Sequence, residues 1–120
     1  MSDATVINNR EQLFTPDRMA VRYTTVTIDG MTFRLQSMSD KTWTRIQASA
    51  VKRDGTMDKM NAQLVSAMII VESVVDEQGN RVFTEADIRN FRDMDAGFVA
   101  RLADACRAHI GIQETEEVKN

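Results

Sequence analysis

The sequence predicts an α+β fold in which an N-terminal antiparallel β-hairpin packs on a bundle of about four α-helices. Three observations predict it. Residues 21–28 are rich in β-branched side chains and 31–35 resume the pattern after an Asp29-Gly30 pair, as in a two-residue hairpin. Residues 60–75 are apolar on nearly every side, as suits a helix in the middle of a fold. Residues 95–111 read as an amphipathic helix between an aspartate cap and a glycine stop.

The 120 residues suffice for one domain and leave too little for two cores. Residues 1–19 are polar and aperiodic apart from Val6-Ile7 and Leu13-Phe14, and they hold the single proline, Pro16. They are expected to form a flexible N-terminal arm before a single domain over 20–112. In the hairpin, a two-residue turn places Ile28 opposite Met31, Val26 opposite Phe33 and Thr24 opposite Leu35. Val26, Ile28, Met31, Phe33 and Leu35 then share one apolar face, and Thr25, Thr27, Thr32 and Arg34 share the other.

Ser39 is placed to cap the first long helix, with Asp40 in its first turn. Trp43, Ile46, Gln47 and Ala50 share one side of it, and Asp54-Gly55 is expected to end it. A second helix is expected to start near Thr56 or Asp58. Its stripe of Met60, Leu64, Met68, Val71 and Val75, flanked by Val65, Ile69 and Ile70, predicts a helix through Val75. The run Asp76-Glu77-Gln78-Gly79-Asn80 is a polar turn, and Val82-Phe83 a short extended piece. Thr84 and Asp87 are spaced as a capping box for a third short helix. Asp95 caps a fourth, with Phe98, Val99, Leu102, Cys106 and Ile110 inward, Arg101, Asp104 and Arg107 outward, and Gly111 just past its end. Residues 113–120 are expected to be a disordered acidic tail.

Composition narrows the function. The hydrophobic fraction of 42% with 28% charged residues is that of a globular chain. A net charge of −3, with arginines scattered singly, offers no footprint for nucleic acid or an anionic membrane. One cysteine rules out an internal disulfide. The start of the chain lacks the basic residues and apolar run of a signal peptide, and the most apolar stretch, 64–75, is interrupted by Ser66, Glu72 and Ser73. The expectation is a soluble protein of the cytoplasm.

No catalytic group assembles. His109 lies three residues from Cys106 on one helix, a spacing that does not set up acyl transfer, and Cys106 is on the apolar face. No glycine-rich phosphate loop is present. A twelve-residue calcium loop over 76–87 fails at its sixth position, Arg81, and its twelfth, the short Asp87. No enzyme, cofactor or metal is expected. Met57, Met60 and Met68 on the second helix, with Trp43 and Phe98, are the candidate partner-binding residues, although their spacing suits core packing better.

The order of elements carries a resemblance. A hairpin with an Asp-Gly turn leads into the Trp43 helix. An apolar helix then ends in Glu72-Ser73-Val74-Val75-Asp76-Glu77-Gln78-Gly79-Asn80 and is followed by Val82-Phe83-Thr84-Glu85-Ala86-Asp87-Ile88 and a last helix closing on Ile110-Gly111. Over residues 20–111 this resembles the tail assembly chaperones of long-tailed bacteriophages and prophages. The resemblance implies a non-enzymatic protein of the host cytoplasm that binds and solubilises the tape-measure protein, helps recruit tail-tube subunits and is absent from the finished virion. It also implies that many such chains have a longer, frameshifted form. The alternatives are a structural minor tail or head–tail joining protein that stays in the particle, and a host adaptor or calcium-responsive module. Homo-oligomerisation is left open.

Overall fold

Asp29 and Gly30 both take positive φ, 52° and 79°, and close a tight hairpin. The computed structural model describes residues 4–51, 55–56 and 59–111, and for 59–63 the backbone alone. The hairpin strands β1 (Tyr23–Ile28) and β2 (Met31–Gln36) pair antiparallel with Ile28 opposite Met31, Val26 opposite Phe33 and Thr24 opposite Leu35. That is the register the sequence predicts. Leu35 is buried and Val26, Ile28 and Phe33 pack against the core, while Met31 at the hairpin tip is exposed.

Helix α2 (Asp40–Ala48) starts where Ser39 Oγ accepts from the Thr42 amide at 3.1 Å. It ends earlier than the Asp54-Gly55 signal suggests. At its C-cap the Ser49 hydroxyl donates to the Ile46 carbonyl at 2.6 Å, using a side chain that competes with the helical ladder. Ile46 and Ala50 are buried, Trp43 is half-buried, and Gln47, expected on the same face, is exposed. Asp54 and Asp58 lie outside the described residues.

Helix α3 (Lys59–Ser73) runs through the middle, with Ala67, Ile69, Ile70, Val71 and Ser73 buried. The apolar stripe predicts a helix through Val75, but the helix stops at Ser73. Val74–Val75 instead form β3, pairing antiparallel with β2 through Leu35–Val74 and Arg34–Val75. Two β-branched residues fit either state, and the open edge of β2 takes up their backbone groups. The sheet order is β1-β2-β3. The chain then turns on Asp76, whose Oδ1 accepts from the Gln78 and Asn80 amides, both at 2.9 Å, with Gly79 at φ 85°. Arg81 returns beside Val75 in a single bridge.

At Thr84 the amide donates to Asp87 Oδ2 at 2.9 Å, the acid-to-backbone half of the expected capping box. A 3-10 turn over Glu85–Asp87 precedes α4 (Ile88–Arg92). Asp95 accepts from the Phe98 amide at 2.9 Å to open α5 (Ala96–Ile110), and Gly111, at φ 90°, closes it. Phe98, Leu102, Ala103 and Cys106 of α5 are buried. Arg107, expected to face outward, folds back so that its guanidinium reaches Ser66 Oγ at 3.0 Å. The architecture is thus α+β, an antiparallel sheet with helices on its inner face. Phe33 of the sheet meets Phe98 of α5 with ring centroids 6.3 Å apart.

Ahead of the sheet, residues 4–19 contain a 3-10 turn over Arg10–Gln12 and a one-turn helix α1 (Pro16–Met19), neither with a buried residue. The expected tail, 113–120, lies outside the described residues.

Candidate functional site

Helices α2 and α4 flank the C-terminal half of α3 and leave a cleft of about 160 Å³ between them. Its apolar lining is Ile46 from α2, Met68 and Val71 from α3, and Ile88 from α4. These residues come together because α3 presents apolar side chains on several sides at once, so one face remains after the sheet and α5 are covered. Met68 is half-buried, and its sulfur lies 3.2 Å from the Ser49 hydroxyl.

The rim is charged. Glu72, with its side chain 15% exposed, receives Arg45 at 2.7 Å and Arg81 at 2.9 Å on the same oxygen, Oε1. Arg81 reaches on to Glu85 at 3.3 Å. The Glu85 amide and the Arg81 guanidinium hold the Glu85 carboxyl below the usual carboxylate range. The Glu72 carbonyl accepts from the Gln36 side chain at 2.8 Å. One acidic residue thereby ties α2, α3, β2 and the Arg81 segment together. An apolar floor with a satisfied ionic rim offers room for one apolar group and no unpaired charge to a catalytic step.

No protein-family model and no curated protein matches the chain. Among solved structures, the tail assembly chaperone of bacteriophage HK97 superposes with a TM-score of 0.55 at 19% identity, over 73% of this chain and 88% of that one. The two share a fold.

The sequence-predicted candidates scatter about this fold. Met68 lines the cleft. Trp43 is half-buried against the core from α2. Phe98 is only 7% exposed and belongs to the core. Met60 falls where the backbone alone is described, and Met57 lies outside the described residues. Sequence reasoning did not single out Glu72; its signal was an acid on a helix otherwise apolar all round.

Cys106 and His109 do not form a reactive pair. Cys106 is fully buried, and burial pushes its thiol up to about 11, against smaller downward pulls from Ser73 and Arg107. His109 Nε2 instead faces the Arg22 carbonyl at 3.0 Å, and the Arg22 guanidinium donates to the His109 carbonyl at 3.0 Å. Asp76 is engaged by its own turn. Among the described residues, no group of three or more His, Cys, Asp or Glu is placed to hold a metal ion. None of the described helices is long and apolar enough to cross a membrane.

Proposed function

We propose that this chain is a phage tail assembly chaperone that binds the tape-measure protein, keeps it soluble and helps recruit tail-tube subunits in the host cytoplasm. The carrying observation is the fold shared with the HK97 chaperone, and the cleft over Met68 supports it. A tape-measure helix presents recurring apolar side chains that aggregate unless covered. A cleft the size of one large apolar side chain suits the helix-in-groove mode, with modest binding repeated along the client. Met68 is proposed as the centre of the client surface, with Trp43, Met57 and Met60 kept as further candidate contacts; Phe98, buried against Phe33, is not among them.

Co-expression with a long-tailed phage tape-measure protein tests the reading. The client should become soluble and co-elute with several copies of this chain. Met68→Ala, folded by circular dichroism, should weaken capture about tenfold, the size of an interface hot spot. A client that stays insoluble overturns the proposal. Recovery of this chain in purified particles favours instead a minor tail or head–tail joining protein.

A further inference from the structure

The sheet ends on β1, beyond which no strand pairs among the described residues. The Ser37 amide donates to the Arg22 carbonyl at 2.8 Å, which makes these two a hydrogen-bonded pair of the ladder. Such pairs alternate in an antiparallel ladder. Thr24, Val26 and Ile28 therefore spend their amides and carbonyls on β2, whereas Tyr23, Thr25 and Thr27 turn theirs to the free edge. The side chains beside that edge lean away from it. The Thr27 hydroxyl lies 3.1 Å from that of Thr32 on β2. Tyr23 lies under the Arg34 guanidinium, and its hydroxyl reaches Gly79, past β2. The usual guards of an edge are a proline, a bulge or a charge, and none falls between Tyr23 and Ile28.

We propose that β1 pairs antiparallel with β1 of a second copy, joining the two sheets edge to edge about a two-fold axis at Thr25. Three features select this occupant. Setting Thr25 opposite Thr25 of the copy also sets Tyr23 opposite Thr27 at both ends, so every outward amide and carbonyl finds its mate, about six bonds in all. The same register keeps like faces together. Tyr23 meets a β-branched threonine on the outer face, and the half-buried Val26 meets Thr24 on the inner one. Charge agrees as well. Arg22 and Asp29 bracket an uncharged strand, so antiparallel order brings each next to its opposite. Arg101 holds Asp29 through Oδ2, which leaves Oδ1 for the arriving arginine. An interface built from one patch used twice closes on itself and ends at the dimer. The pairing is a property of the chain alone and is independent of the chaperone reading.

Sedimentation equilibrium of the full chain should show a monomer–dimer exchange. Thr25→Pro should weaken it at least about tenfold, because the proline removes the central donor of both strands. Its circular dichroism should be unchanged, since that amide faces away from β2 and an edge position tolerates proline. Thr25→Lys and Thr25→Glu should each weaken self-association by setting like charges directly opposite, and an equimolar mixture of the two should associate about tenfold more tightly than either alone. A wild-type chain that stays monomeric at about 1 mM, where even a weak contact is populated, overturns the proposal. So does association that Thr25→Pro leaves unchanged, a mixture no tighter than its components, or assembly that continues past the dimer.

Discussion

The arm over residues 4–19 and the sheet-and-helix body hold their shapes by different means. In the arm, Gln12 Oε1 accepts from the Asn8 and Asn9 amides at 2.7 and 3.1 Å, Asn9 caps the turn, and Thr15 caps α1. Arg10 lies over the Phe14 ring. Yet Val6, Phe14 and Met19 are 70%, 56% and 71% exposed. In the body the same devices, Ser39, Thr84 and Asp95, sit next to side chains that vanish from solvent. Capping chooses where a helix begins, and burial decides whether it persists, because one short turn does not offset its own ordering entropy.

Truncation of the core is the strongest test of that contrast. Leu102→Ala should destabilise the body by about 3 kcal/mol in chemical denaturation, the loss of a fully buried leucine. Next comes alkali. The Cys106 thiol rises from an ordinary 9.0 to about 11 in the fold, so its neutral form is favoured there. Its stabilisation is whole below pH 9 and lost as pH climbs to 11, about 2–3 kcal/mol for such a shift. The stability of Cys106→Ala should vary less over that window, and the native thiol should resist alkylation at pH 8. Glu72→Gln removes the shared anion of two arginines and should lower stability by about 1–2 kcal/mol, measured the same way. The smallest effect belongs to the arm. Phe14→Ser, or deletion of residues 4–19, should change the stability of the body by less than about 0.5 kcal/mol. A larger loss would show that the arm is anchored after all and end the comparison.

The hairpin was legible because its information is local. Asp29-Gly30 names the turn, the turn fixes the register, and the register decides which face holds Val26, Phe33 and Leu35. The starts of α2 and α5 were legible for the same reason. The end of α3 was not, since Val74 and Val75 continue the helical stripe and their strand state depends on an edge of β2 forty residues away in sequence. The candidate site was legible only at Met68. Glu72 gathers Arg45 and Arg81 across three segments, and the partners of a charge depend on tertiary placement. Phe98 looks much like an anchor on an amphipathic helix until Phe33 arrives to cover it.

The passage from α3 into β3 without a single intervening residue has a mechanical meaning. A loop would act as a compliant tether, letting the helix end unwind while the sheet stayed shut. Here the last helical residue, Ser73, is bonded directly to a valine stitched to β2, so tension on one element is transmitted undamped to the other. Both should therefore open in one cooperative unit, with the amides of Ile70, Val74 and Leu35 exchanging their hydrogens at a common rate.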